Sequence, residues 1–307
     1  MRIFITGATG FVGSAIVPEL IGAGHQVLGL ARSDAAATSL TEVGAEVQRG
    51  SLDDLESLRK GASAADAVIH AGFIHDFANY AAAAETDRRA IETIGAVLAS
   101  SARLFIVTSG TALTAPGRVA TEQDAVNSTF PRKSEEAAAA SSAGGARVSV
   151  LRLPPSVHGV GDHGFVPLLI RIAREKGVSA YVGEGRNRWP AVHRLDAARA
   201  YRIVLESGSV APRYHAVADE GVPFRDIAQV IGRRLNIPVV TKSPQEAEAH
   251  FGWFAHFVGL DCPASSAWTQ EQLRWPPKQA SLIPDIDQPS YFETDQKTFD
   301  QRAGATN

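Results

Sequence analysis

The chain has one cysteine, Cys262, among its 307 residues. It can form neither an internal disulfide nor a cysteine-built metal cage, and such usage suits a reducing compartment. No run of about 18 apolar residues is present, so no membrane-crossing helix is expected. No apolar segment of the secretory kind precedes the first strand-like run, Arg2–Thr6. Nor is there a block of like charge: 30 basic residues face 33 acidic ones, for a net charge of −3. The basic stripe that nucleic acid would require is missing. The histidine pairs His70/His75, His158/His163 and His250/His256 lie five or six apart without a cysteine or acid cluster. A helical metal face needs a spacing of three or four. These absences lead to the expectation of a cytoplasmic protein that uses no metal, nucleic acid or membrane. The remaining composition, 45% hydrophobic and 21% charged, is ordinary for a globular chain, and its length allows one large domain or two lobes.

What is present, and early, is glycine. Ile3, Phe4 and Ile5 make a short apolar run that reads as a buried strand. Gly7, Gly10 and Gly13 follow at once. Phe11, Val12, Ala15, Ile16 and Leu20 then recur at helical spacing toward Gly22 and Gly24, and His25–Leu30 is a second apolar strand. Strand, glycine turn, helix and strand form the setting in which such a triplet becomes a dinucleotide-binding pattern. Gly7 makes a tight turn where a Cβ would clash. Gly10 lets backbone amides approach a pyrophosphate, and Gly13 lets the helix lie close on the sheet. The free amides and partial positive charge of the helix tip then face the phosphates. Pro18 is a misfit inside that helix, because it removes a backbone donor.

The end of the second strand selects the cofactor. An acid there would bind the ribose 2′-hydroxyl of NAD. The chain instead reads Leu30-Ala31-Arg32-Ser33. A guanidinium pairs bidentately with a phosphate, so Arg32, with Ser33, favours NADP(H) over NAD(H). Asp34 is the rival acid, further past the strand.

Strand and helix signals keep alternating: strands at Glu46–Gln48, Ala67–His70, Leu104–Thr108 and Val148–Leu153, helices at Leu52–Lys60, Glu85–Ala102 and Lys133–Ser142. Alternation implies a parallel sheet covered on both faces. After Pro154 the pattern changes. A loop at Gly159–Gly164 leads to a helix at Phe165–Lys176, a polar glycine-rich stretch at Gly183–Pro190 and a helix at Asp196–Glu206 capped by Asp196. Tyr214–Val217 reads as a last sheet strand and Phe224–Leu235 as an amphipathic helix. The end of the chain is rich in proline and aromatic residues, which suits a smaller lobe.

Several segments carry a family resemblance: TGATGFVGS, Val68-Ile69-His70-Ala71-Gly72, Phe105–Gly110, Leu151–Gly159 and Val192-His193-Arg194-Leu195-Asp196. They resemble the extended short-chain dehydrogenases/reductases, which include NAD(P)-dependent epimerases, dehydratases and carbonyl reductases. The resemblance implies an α/β fold, a Rossmann doubly wound parallel sheet with a smaller C-terminal substrate lobe. Residues 1–153 plus about 191–218 would form the cofactor domain, and 154–190 with 219–307 the substrate lobe. It also implies cofactor contacts. Gly7, Gly10, Phe11, Val12 and Gly13 match the phosphate loop. Ser51 and Leu52 match the adenine contact, where the family usually has an acid in place of Ser51. Ala71, Gly72 and Phe73 match the floor under the ribose and phosphates. Thr108 and Ser109 would lie near the nicotinamide ribose, and Pro155 and Val157 beside the nicotinamide.

The family's Tyr-x-x-x-Lys pair is absent. Phe130 stands at the tyrosine position and Ser134 at the lysine position, while the family serine maps onto Gly110, with Thr111 beside it. Thr111, Lys133 and Tyr80 are the candidate catalytic residues, and Arg132 is a further cation near a developing alkoxide. His193 reads as a structural residue below the cleft. The expected function is NADPH-dependent reduction of a small carbonyl substrate, with a homodimer as the expected assembly. The alternatives are a non-catalytic NADP-binding sensor and a sugar-nucleotide epimerase or dehydratase.

Overall fold

The computed structural model describes residues 1–114, 117–208 and 211–293. β1 (Arg2–Thr6) passes through the glycine turn to α1 (Gly13–Gly22). Then come β2 (Gln26–Ala31), α2 (Asp34–Glu42), β3 (Glu46–Arg49), α3 (Leu55–Ser63), β4 (Ala67–His70) and α4 (Tyr80–Leu98). β5 (Leu104–Gly110), α5 (Ser134–Ala143), β6 (Arg147–Leu153), β7 (Ser156–His158), α6 (Phe165–Lys176), β8 (Ser179–Val182) and β9 (Arg188–His193) follow. The chain continues through α7 (Arg194–Glu206), β10 (Arg213–His215), β11 (Asp219–Pro223), α8 (Phe224–Leu235), β12 (Val239–Lys242) and α9 (Pro244–Phe251).

Seven strands pair in parallel in the order β10-β6-β5-β4-β1-β2-β3. This is the doubly wound Rossmann arrangement. The order reverses between β1 and β4, and that switch point opens a crevice at the carboxyl ends of the strands. Side chains alternate across the sheet. Ile3, Ile5, Ile69 and Ile106 pack with Leu20, Tyr201 and Val204 of α1 and α7 on one face. Phe4, Val68, Phe105 and Val107 pack with Leu58, Ile91, Ile94 and Ala137 of α3, α4 and α5 on the other. Burial of each large apolar side chain contributes roughly 1.5–3 kcal/mol. With both faces covered, the central strands read as unbroken apolar runs.

The second lobe has its own core, in which Trp189, Phe224, Phe251 and Phe254 meet Leu169, Ile170 and Ile231. A three-stranded sheet, β11-β9-β7, and the pair β12-β8 build it. The chain then returns to the first lobe: Trp275 is fully buried against the α1–α7 face, and its indole N–H donates to the Asp196 carbonyl at 3.1 Å.

Several sequence expectations shift. α4 begins at Tyr80 rather than Glu85, because Ala81–Ala84 are strong helix formers and extend the helix backward. Asp196 is not the cap of α7: that helix starts at Arg194, and the His193 side chain caps it by accepting from the Leu195 amide. The Asp196 carboxylate instead accepts the amides of Lys278 and Gln279 at 2.8–3.0 Å, tying down the returning chain. Arg188–Pro190, expected in a polar stretch, belongs to β9. Pro18 does lie within α1, which runs on past it.

Candidate functional site

At the end of β1, Gly7 adopts φ +68°, and a Cβ there would lie 2.6 Å from the Gly72 backbone. The turn is thus pressed against the segment leaving β4. A Cβ on Gly13 would lie 2.0 Å from the Gly7 carbonyl oxygen, so only glycine lets α1 sit this close. Gly10 is looser, at 3.2 Å from the same oxygen, and its amide closes the turn on it at 2.9 Å. No side chain caps the start of α1. An uncapped helix tip above a turn with glycine at positions 7, 10 and 13 fits a diphosphate by hydrogen bonding and by charge.

At the edge of β2, Arg32 is exposed and takes no ion-pair partner among the described residues. Asp34, the rival acid, is occupied: Arg49 pairs with it and donates to the Ser33 carbonyl at 2.6 Å. The Ser33 hydroxyl caps α2 by accepting from the Ala36 amide at 3.2 Å. Leu52 lies 3.2 Å from where a Gly72 Cβ would stand, so the stretch after β3 meets the stretch after β4.

A buried polar chain runs from β1 through β4 and α4 to the start of α5. The Gly72 amide donates to Thr6 Oγ1 at 3.2 Å, and Thr6 Oγ1 lies 2.8 Å from His70 Nδ1. His70 Nε2 lies 3.0 Å from Asp87 Oδ1, and the Ser134 hydroxyl donates to Asp87 Oδ2 at 2.5 Å. Arg132 Nε donates to Ser134 Oγ at 2.8 Å, and its Nη2 to the Thr108 carbonyl at 3.0 Å. Burial works to raise the Asp87 carboxyl. The His70 hydrogen bond and the Arg132 charge outweigh it and hold the group below the usual carboxylate range. The Arg132 guanidinium lies over the Phe73 ring, 4.3 Å from its centroid.

The three candidate catalytic residues stand differently. Thr111 is buried at the first position of the turn after β5, and its hydroxyl has no partner among the described residues. Tyr80 opens α4, with its ring 5.7 Å from Phe73; burial raises its phenol although Arg132 pulls the other way. Lys133 is occupied elsewhere, donating to the Ser128 carbonyl at 2.6 Å and pairing with Glu136 at 3.0 Å. Thr108 Oγ1 shares a 2.6 Å hydrogen bond with the buried Tyr201 hydroxyl. The Ser109 hydroxyl is buried without a partner among the described residues.

Aromatic rings from both lobes meet beside this chain. Phe77 stacks on Trp253 with centroids 4.4 Å apart, and Phe165 and Phe257 each lie 6.1 Å from Phe77. Under the loop after β7, His158 Nδ1 lies 2.8 Å from Asp285. Tyr291 accepts from the Gly159 amide at 2.8 Å and donates to Asp285 at 3.1 Å. Burial pushes the neighbouring Asp162 carboxyl up to about 7, against a hydrogen bond from the Gly164 amide. Arg194 bridges this loop to the glycine turn by donating to the Val160 carbonyl and Ser14 Oγ, with its guanidinium over Phe11.

Sequence reasoning did not single out Asp87, Asp285 or the anchoring of Arg132. Asp87 had a readable signal: it is a lone acid on the α4 face that otherwise holds Ala83, Ala84, Ala90, Ile91 and Ile94. Asp285 had none, because its partner His158 is 127 positions away. Among the described residues no helix is long and apolar enough to cross a membrane.

Comparison with known proteins agrees with this geometry. The chain is 48% identical over 295 residues to the uncharacterized protein C2A9.02 of Schizosaccharomyces pombe, covering 95% of this chain and 100% of that one. It is 25% identical over 270 residues to the 4-hydroxy-2-methyl-3-oxo-4-farnesyl-3,4-dihydroquinoline-1-oxide ketoreductase of Stigmatella aurantiaca, covering 82% and 80%. Its fold superposes on a dTDP-glucose 4,6-dehydratase from Streptomyces venezuelae, solved with NAD bound, with a TM-score of 0.77 at 19% identity over 97% and 98% of the chains. The sequence profile of the NAD-dependent epimerase/dehydratase family matches residues 3–217, and the chain belongs to that family.

Proposed function

We propose that this protein is an NADPH-dependent reductase of small carbonyl compounds. The observation that carries the reading is an open glycine turn beside an unpaired Arg32, where an acid would have served the NAD ribose. In this reading the turn and Gly10, Phe11, Val12 and Gly13 hold the diphosphate, and Arg32 with Ser33 takes the 2′-phosphate. Ser51 and Leu52 line the adenine, while Ala71, Gly72 and Phe73 lie under the ribose and phosphates. Thr108, Ser109, Pro155 and Val157 surround the nicotinamide. The bound cofactor would supply a hydride to the carbonyl carbon. The oxygen takes a proton, giving an alcohol and oxidised cofactor. Tyr80 suits that donor role, since its raised phenol stays protonated at neutral pH. The aromatic wall formed by Phe77, Trp253 and Phe257 favours an apolar carbonyl substrate over a sugar nucleotide. The ketoreductase relative supports carbonyl chemistry.

A second reading has its own observation. Phe130 and Ser134 occupy the places of the family tyrosine and lysine, which suits a protein that binds the dinucleotide as a signal. Purified protein mixed with NADPH and a panel of aldehydes, ketones and quinones separates the two. Steady loss of the reduced-nicotinamide absorbance is expected. Tight binding without turnover on any panel member would favour the sensor.

A further inference from the structure

The polar chain from β1 to α5 converges on Asp87. Thr6 Oγ1 accepts from the Gly72 amide and meets His70 Nδ1, and the other ring nitrogen, Nε2, meets the Asp87 carboxylate. Ser134 donates to the other Asp87 oxygen and accepts from Arg132 Nε. Asp87 is the final acceptor from both directions. The Arg132 guanidinium is the cation beside this buried carboxylate, 3.9 Å away. Thr6, His70, Asp87 and Ser134 are each no more than 1% exposed. A carboxylate this deep needs its hydrogen bonds and a counter-charge, so the arrangement fixes where Arg132 stands.

Arg132 stands at the carboxyl end of β5. One Nη2 hydrogen goes to the Thr108 carbonyl and Nε to Ser134, while Nη1 takes no acceptor among the described residues. The guanidinium lies over the Phe73 ring, and the side chain keeps 14% of its surface open. Thr108 is expected near the nicotinamide ribose and Phe73 in the floor under the ribose and phosphates, and Arg132 touches both. Lys133, next along the chain, is tied to Ser128 and Glu136. Ser134, at the family lysine position, serves here as an anchor.

Resting on the cofactor reading above, we propose that Arg132 binds the nicotinamide-ribose half of the dinucleotide, with Asp87 and Ser134 as its positioning residues. It is thus the cation of a site whose usual lysine is missing.

Two ligands test this without any turnover. NADPH carries the nicotinamide ribose; 2′,5′-ADP carries only the adenosine half with its 2′-phosphate. Each is titrated against wild type, Arg132→Gln and Arg132→Lys, with NADPH followed by its fluorescence and 2′,5′-ADP by competition with a bound fluorescent nucleotide. Arg132→Gln is expected to weaken NADPH about tenfold or more and 2′,5′-ADP by less than about twofold. Arg132→Lys keeps a charge for Asp87 and is expected to recover part of the NADPH loss. Unchanged NADPH affinity in both variants overturns the proposal, and so does parallel weakening of the two ligands, which marks a purely structural role. If wild type binds neither ligand, the cofactor reading itself falls and takes this proposal with it. If wild type binds both and the variants match it, only the assignment of Arg132 falls.

Discussion

Arg32 follows directly on β2 and is exposed, while Arg49 nearby is held by Asp34 and the Ser33 carbonyl. The two arginines therefore differ in what they can offer a ligand. Arg32→Ala is expected to weaken NADPH by about tenfold and NADH by less than about twofold, read by fluorescence titration. Equal losses for both would remove the 2′-phosphate from this edge. Asp162 is a different kind of residue. Burial pushes its carboxyl up to about 7, and Asp285 adds to the rise, while Gly164, Tyr291 and Arg194 oppose it. In the folded protein it holds a proton that the unfolded chain has already released above its ordinary value. Unfolding then releases that proton, so this group's contribution falls as pH rises from about 4 to about 7 and is level beyond. Urea midpoints taken at about pH 5 and about pH 8 are expected to differ in that direction, and Asp162→Asn to shrink the difference. A wild-type midpoint that rises as much as the variant's would contradict the assignment. Both residues stood in the sequence, but only Arg32 could be interpreted there. Its meaning comes from local spacing after a strand, whereas that of Asp162 comes from Tyr291 and Asp285, over a hundred positions away.

At the scale of elements, the β1–α1 unit shows why three glycines do different things. Gly13 seats the helix against the Gly7 carbonyl, while Gly22 at the other end of α1 has open space around it. Gly13→Ala is expected to cost about 1–3 kcal/mol in stability, because α1 must shift, and to abolish dinucleotide binding. Gly22→Ala is expected to leave binding intact and to change stability by no more than about 1 kcal/mol. Chemical denaturation and titration of the two variants side by side check this. A Gly13→Ala protein that binds as well as wild type would mean the helix tip is not the phosphate seat. The strands of the first lobe were legible because burial on both faces leaves short apolar runs between helices. β7, β8, β9 and β12 were not: they belong to a mixed lobe in which pairing joins segments separated in sequence, β9 with β11 and β7, and β8 with β12. α7 was legible but its cap was not. Asp196 is a good cap by composition, yet the returning Lys278–Gln279 amides claim its carboxylate.

At the scale of the molecule, the two lobes share the crevice through few groups. Phe77 leaves the β4 side and stacks on Trp253, which is 53% exposed. Trp253→Ala removes that bridge at modest cost, since a half-exposed side chain contributes little core burial. It is expected to leave NADPH affinity within about twofold and to raise KM for an apolar carbonyl, the separation expected of a substrate-side wall. Weaker NADPH binding with unchanged KM would place the ring on the cofactor side instead. The parallel sheet could be read from the alternation of strand and helix signals and the phosphate turn from the glycine spacing, while the doubly wound arrangement came from the family resemblance. The catalytic arrangement could not be read, because Phe130 and Ser134 erase the family signature, and the buried carboxylate that repositions Arg132 lies on another helix. Whether the glycine turn seats NADPH is tested most directly by an equilibrium titration of the wild-type protein with NADPH and with NADH, followed by reduced-nicotinamide fluorescence. Saturable binding that is tighter for NADPH is the predicted result; no saturable binding of either dinucleotide would contradict it.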